Sequence, residues 1–357
     1  MKTKQLFVST LVLAITFAGC KKDDPETPVP TPVGTTYDNG VFIINEGPYG
    51  SGTGTVSFYS RSGSTVSADI FQTKNSYPLG NVVQSMEIYN GKGYIVVNNS
   101  GKVEIVDAST FASSGVISGL ANPRYFLGID NNKAYVSEWG TTGSGAVKVV
   151  DLTTKAVTAT ITTGKGAEAM VKVGNSVYVT CSGGYDNDSV VTVIDAATDA
   201  VITSINVGAN PKNIKVDANG KIWVLCSGQW DFNFTTLVKP GKLVRIDAAT
   251  NTVDLSLPFA STTSQPFNLV INNAKTTLYY TYNGKIFSQL HTAVSLNSTS
   301  TINRNFYGLG IDPANDYFYA SDAGDFSSNG KVIRFNTTGI AVDSFNVGVI
   351  PGNFCFK

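Results

Sequence analysis

One segment of this 357-residue sequence recurs. It reads VEIVDAST at Val103–Thr110, VKVVDLTT at Val147–Thr154, VTVIDAAT at Val191–Thr198 and LVRIDAAT at Leu243–Thr250. Its aspartates, Asp107, Asp151, Asp195 and Asp247, are spaced by 44, 44 and 52 residues. Weaker copies start at Val56 (VSFYSRSG), Ile286 (IFSQLHTA) and Val332 (VIRFNTTG), which brings the total to seven. A repeat of this kind constrains the fold more than any other feature, because each unit can bury its apolar face only against its neighbours.

Each copy alternates apolar and polar residues, then meets Asp or Asn and a cluster of Thr, Ala or Ser. That pattern predicts a strand running into a tight turn, with the side-chain oxygen accepting a nearby backbone N–H. A second strand precedes it, as in AYVSEWG, VYVTCSGG, IWVLCSGQ and FYASDAG. Earlier still lies an inner strand that often opens with proline: NPRYFLGID, NPKNIKVDA and QPFNLVINN. After the turn comes an outer strand such as VTATITTG or VITSINVG. No stretch carries a long helical period, and 35 glycines suit strands joined by turns. Four strands in each of seven repeats predict an all-β chain, a seven-bladed β-propeller with four-stranded blades. The two ends of the repeat region are complementary. Ile350–Phe356 reads as an inner strand with nothing after it, and Val41–Glu46 as a second strand with nothing before it. Joined, they make one composite blade that closes the ring, which an open β-solenoid would not need.

The first residues read as an address. Lys2 and Lys4 precede an apolar run from Leu6 to Ala18, shorter than the ~20 residues of a membrane-spanning helix. The run ends in Phe17-Ala18-Gly19-Cys20, which resembles a lipobox. Residues 1–19 are therefore expected to be a lipoprotein signal peptide, with Cys20 lipidated. Lys21-Lys22-Asp23-Asp24 looks like the signal that sends Bacteroidetes lipoproteins to the outer face of the outer membrane. Prolines 25, 28, 30 and 32 make 20–36 an extended tether, and 37–357 the propeller. The expected location is the cell surface, with membrane contact through the lipid anchor alone and the domain monomeric.

Composition narrows the chemistry. Lys plus Arg and Asp plus Glu both number 26, so nucleic acid is a poor partner. One histidine, His291, rules out multi-histidine copper or haem sites, and its setting suits an exposed turn residue. Cys181, Cys226 and Cys355 read as small buried hydrophobes. The acidic loop at Asp186–Ser189 is no EF-hand, since positions six and twelve from Asp186 are Val191 and Ala197; a looser calcium site stays open. Gly50–Gly54 lacks the Lys-Ser/Thr and helix of a phosphate loop. No Gly-x-Ser-x-Gly elbow accompanies the histidine. The sequence therefore assigns no catalytic residue, no metal and no cofactor.

Loop length is asymmetric. The second-to-third-strand connections Gly47–Thr55, Glu138–Ala146, Ser182–Ser189, Ser227–Lys242 and Ser321–Lys331 are long. Most hairpins on the opposite face, such as Asp130–Lys133 and Asp217–Lys221, are short. Long loops on one side of a rigid scaffold are where binding residues gather. Here they carry Tyr49, Trp139, Tyr185, Trp230, Phe232, Phe234 and Phe326, interleaved with Asp186, Asp188, Asp231 and Asp325. Equivalent inner-strand starts should ring the channel mouth with Gln84, Arg124, Glu168, Lys212, Phe267 and Tyr307. Of these, Trp139, Tyr185, Asp186, Asp188, Trp230, Asp231, Phe232, Asp325, Phe326, Arg124, Lys212, Phe267 and Tyr307 are the expected ligand site.

From Tyr178 to Pro211 the chain reads YVTCSGGYDNDSVVTVIDAATDAVITSINVGANP, which resembles the YVTN-repeat propellers. The resemblance runs from Val41 to the end and is weakest near Ile286. Among surface lipoproteins of this type it is most similar to those that bind cobalamin and pass it to a TonB-dependent transporter. That implies a non-enzymatic capture protein with a corrinoid as leading ligand, a glycan or peptide being the other candidates. A lactonase-like hydrolase and a protein-interaction module of a surface assembly are the alternative expectations.

Overall fold

The recurring aspartate does what its spacing predicts. Asp107 Oδ1 accepts the backbone N–H groups of Ser109 at 3.0 Å and Thr110 at 2.8 Å. Asp151 accepts those of Thr153 and Thr154, and Asp195 those of Ala197 and Thr198. These backbone N–H groups hold all three carboxyls below their usual range. Each turn ends a third strand and sends the chain back along the blade as its outer strand.

The computed structural model describes residues 36–357. The leader, Cys20, the Lys21–Asp24 signal and the tether up to Thr35 lie outside the described residues. Seven four-stranded antiparallel sheets form the blades. All seven copies of the motif are third strands, the weak ones included: Thr55–Ser60, Lys285–Leu290 and Asn329–Phe335. Blade 1 is the composite, ordered from the axis outward as Pro351–Phe356, Gly40–Asn45, Thr55–Ser60 and Thr65–Ser67. Val41 lies opposite Phe356 and Ile43 opposite Phe354. Blades 2 to 7 follow in chain order. Their inner strands are Val83–Tyr89, Pro123–Gly128, Ala167–Val173, Pro211–Val216, Phe267–Ile271 and Gly308–Ile311. Each packs on the next, and Pro351–Phe356 touches both Gly308–Ile311 and Val83–Tyr89, so the ring is closed.

The core lies between blades rather than in one centre. Seven apolar clusters fill the seven interfaces: Tyr178 and Val193 of blade 4 meet Ile214 and Val224 of blade 5, for example, and Trp223 of blade 5 meets Leu278 and Tyr280 of blade 6. Between blades 1 and 2 the cluster also takes Ile70 and Phe71 from the six-residue helix Ile70–Asn75. No helix among the described residues is long and apolar enough to cross a membrane. Cys181, Cys226 and Cys355 are free and buried, and burial pushes the Cys355 thiol up to about 12.

His291 departs from its expected exposed setting. It follows the third strand of blade 6 and folds back onto the Asp217 turn of blade 5. Its side chain is 12% exposed, with Nδ1 3.4 Å from Asp217 Oδ2. The same carboxylate oxygen accepts Trp223 Nε1–H at 2.9 Å. A turn residue is covered here because the neighbouring blade's turn rises beside it, a contact that sequence spacing does not report.

Candidate functional site

The inner strands break register where they begin. Ladder pairing skips between Val83 and Ser85, Pro123 and Phe126, Ala167 and Met170, Pro211 and Asn213, and Phe267 and Val270. In blade 1 it skips Gly352. A bulge places an extra residue against the partner strand and re-aims its side chain. The residues in these bulges include Gln84, Arg124, Glu168, Lys212 and Asn268, and all five line one cavity of about 420 Å3 at the channel mouth. Phe267 and Tyr307 also line it.

Arg124 and Glu168 bridge neighbouring blades as a fork. Arg124 Nη2 donates to Glu168 Oε1 at 2.7 Å and Nε donates to both carboxylate oxygens at 3.1 Å. Arg124 Nη1 donates to Gln84 Oε1. The guanidinium lies 4.3 Å above the Trp139 ring, whose Nε1–H donates to Glu168 Oε2 at 2.6 Å. Burial alone would lower the Arg124 pKa; the Glu168 carboxylate outweighs it and raises the value. The result is a planar cation clamped between an indole face and a carboxylate that is 4% exposed. Across the mouth, Tyr307 O–H donates to Glu46 at 3.0 Å. Burial raises the Glu46 pKa, against the lowering effects of Tyr307 and Arg124.

A second cavity of about 870 Å3 lies between the long loops of blades 4 and 5. It shares Trp139, Tyr185 and Lys212 with the first, so the two form one bowl. Trp139 meets Tyr185 edge-on at 5.6 Å, and the Tyr185 hydroxyl accepts from Asn122 Nδ2 at 3.0 Å. Trp230 belongs to a small hairpin within the blade 5 loop, Gln229–Trp230 against Leu237–Lys239. The hairpin presents Phe232 at 96% exposure and Phe234 at 78%.

Two of the four loop aspartates act inside their own loops, and the other two reach Lys165 in the connection before the blade 4 inner strand. Asp231 accepts the N–H groups of Thr235 and Thr236 and the Thr235 hydroxyl, which holds the hairpin tip together. Asp325 does the same for Ser327 and Ser328. Asp186 pairs with Lys165 at 2.5 Å, and Asp188 accepts the backbone N–H groups of Lys165 and Ser189. Among the described residues no group of three or more His, Cys, Asp or Glu could hold a metal ion. Phe326 lines a side pocket of about 250 Å3 that shares Phe267 and Tyr307 with the channel-mouth cavity, its ring edge-on to Tyr307 at 5.4 Å. Other polar groups in the bowl that sequence reasoning passed over include Glu46, Asn122, Asn210, Gln229 and Gln265. Glu46 was within reach, since it directly follows a second strand, as Trp139, Ser182 and Ser227 do.

Deeper in the channel a cavity of about 300 Å3 holds Glu87 and Lys215. Burial raises the Glu87 pKa to about 7, partly offset by Lys215. The neutral carboxyl is the form the fold favours. Its contribution is complete below the reference value of 4.5 and is lost as pH rises through about 7. Glu87→Gln should therefore stabilise the protein more at pH 8 than at pH 5. The gain reaches about 3 kcal/mol at most, and less where channel water solvates the carboxyl. Thermal melts of both proteins at the two pH values check this, and equal differences at both would refute it.

Solved structures resemble this one in fold at low identity. A quinonprotein alcohol dehydrogenase-like protein from Bacteroides thetaiotaomicron superposes with a TM-score of 0.66 at 15% identity, covering 90% of this chain and 79% of that one. The periplasmic gluconolactonase of Pseudomonas aeruginosa gives 0.62 at 11%, covering 88% and 98%. Hydrazine synthase of Kuenenia stuttgartiensis gives 0.59 at 16%, covering 78% and 92%. At such identities the likeness concerns the fold alone. Curated proteins give no match. The model of the family described as "Domain of unknown function (DUF5074)" matches residues 39–349, and the chain belongs to that family.

Proposed function

We propose that this protein is a non-enzymatic capture module whose ligand sits in the bowl on the long-loop face. The observation that carries the reading is the bowl itself. A rigid ring of bulge residues forms its floor, and Trp139, Tyr185, Trp230, Phe232 and Phe234 form its aromatic wall. Aromatic side chains give large contact area at low entropic cost, and a few convergent polar groups set orientation. A corrinoid of the cobalamin type remains the leading ligand, since a broad amphipathic ring system suits a wide, half-open bowl. Glycans and peptides are the other candidates.

The same reading includes a surface lipoprotein held by Cys20 that hands its ligand to a TonB-dependent transporter. One structural feature supports that arrangement. Tyr37 bonds to the turn at Ser109, on the short-loop face, and the chain then climbs Gly40–Asn45 toward the bowl. The described residues thus begin, at Thr36, on the face opposite the bowl. Calorimetric titration of residues 36–357 with cobalamin and cobinamide, followed by a glycan panel, tests the reading. Saturable binding is expected, and silence across every ligand would overturn it.

A hydrolase is the second reading, favoured by Glu46. Its carboxyl is half-buried at the channel mouth, has a raised pKa and accepts a phenolic hydrogen bond, as a general base would. Turnover of a sugar lactone that Glu46→Gln abolishes would establish it.

A further inference from the structure

Around the bowl, all the charged groups but one have partners. Arg124 pairs with Glu168 and Asp186 with Lys165, while Asp231 is held by its own loop and Glu46 by Tyr307. Lys212 is the exception. It occupies the bulge of the blade 5 inner strand and lines both cavities, so it stands where they join. Among the described residues its ammonium makes no ion pair and no hydrogen bond, although its backbone carbonyl accepts from Thr180. A second group nearby also lacks a partner. Gln229 lines the larger cavity, and its Oε1 is buried without a donor.

An unsatisfied buried amide oxygen is costly, and Lys212 is exposed at the rim of both cavities, so its ammonium is free to meet an anion. We propose that Lys212 and Gln229 form a subsite for an anionic group beside a hydrogen-bond donor. The ligand would carry a carboxylate or phosphate that meets Lys212 and a neighbouring hydroxyl or N–H that meets Gln229, with its ring or apolar face on Trp139 and Trp230. This rests on the bowl being the binding site. It adds a chemical class to that reading: the captured molecule is acidic, not merely amphipathic.

Matched pairs of probes test it. Trigalacturonate against its methyl ester varies a carboxylate, and glucose 6-phosphate against glucose varies a phosphate. By calorimetry at low salt the acidic member of at least one pair is expected to bind about tenfold more tightly than the neutral one. The pair that shows the preference identifies the anion. Lys212→Gln should bring that ratio to about one without moving the melting temperature, and 200 mM salt should reduce it, as a partly exposed charge requires. Gln229→Leu should weaken both members of the pair. Equal binding of acidic and neutral members, or a preference that survives Lys212→Gln, overturns the acidic-ligand proposal while leaving the bowl reading intact. If no probe binds and the corrinoid and glycan titrations are also silent, both fall together.

Discussion

Removal of Ile350–Lys357 is expected to leave a chain that no longer folds as a monomer. The segment is the inner strand of blade 1, paired along Gly40–Asn45 and packed on the inner strands of blades 2 and 7. Its loss exposes an unpaired sheet edge and opens two apolar clusters, one holding Phe354 and the other Cys355. Charged contacts reinforce the same seam. Arg61 donates to both oxygens of Asp312 at 2.7 Å and to the Lys357 carbonyl at 2.6 Å. The Lys357 ammonium reaches Asp38, the Ala108 carbonyl and the Ser109 hydroxyl on blade 2. Arg61→Ala alone strands the Asp312 carboxylate, which is 0% exposed, and should cost about 3–5 kcal/mol. Thermal melts and gel filtration read both variants. A truncated chain that elutes as a monomer and melts like the intact one would show that closure does not depend on this strand.

That seam could be anticipated because it is made of pattern. Alternation and turn chemistry are local, so even the weak copy at Ile286 declared itself a third strand, and a lone inner strand at the end called for a partner at the beginning. The ring at the channel mouth was legible for the same reason, since equivalent positions in a repeat share equivalent places. Arg124, Glu168 and Lys212 do meet one cavity. What escaped is decided by direction rather than position. A loop aspartate reads the same whether it faces a ligand or, as at Asp231 and Asp325, its own backbone N–H groups. The bulges that aim the ring inward leave no distinctive residue, because two residues against one is a property of the pair of strands. His291 was misplaced because its cover comes from the neighbouring blade.

The two tryptophans of the bowl should behave differently when truncated. Trp230 lines the cavity from a hairpin whose tip is held by Asp231, not by the indole. Trp230→Ala should therefore weaken capture by about 2 kcal/mol or more if the ring is a central anchor, with the melting temperature unmoved. Trp139 is both wall and scaffold. Removing it deprives Glu168 of the indole N–H and Arg124 of the ring beneath it. Trp139→Ala should lose binding and also about 1–3 kcal/mol of stability, since a buried carboxylate oxygen is left with a poorer set of donors. Asn132→Ala with Asn219→Ala, on the short-loop face, should leave capture unchanged. Calorimetry with whichever ligand binds, alongside melts of each variant, separates these outcomes. If capture survives Trp230→Ala but falls with the short-loop pair, the ligand enters from the other end of the channel. The site would then centre on Glu87 and Lys215, whose side chains line the deeper cavity.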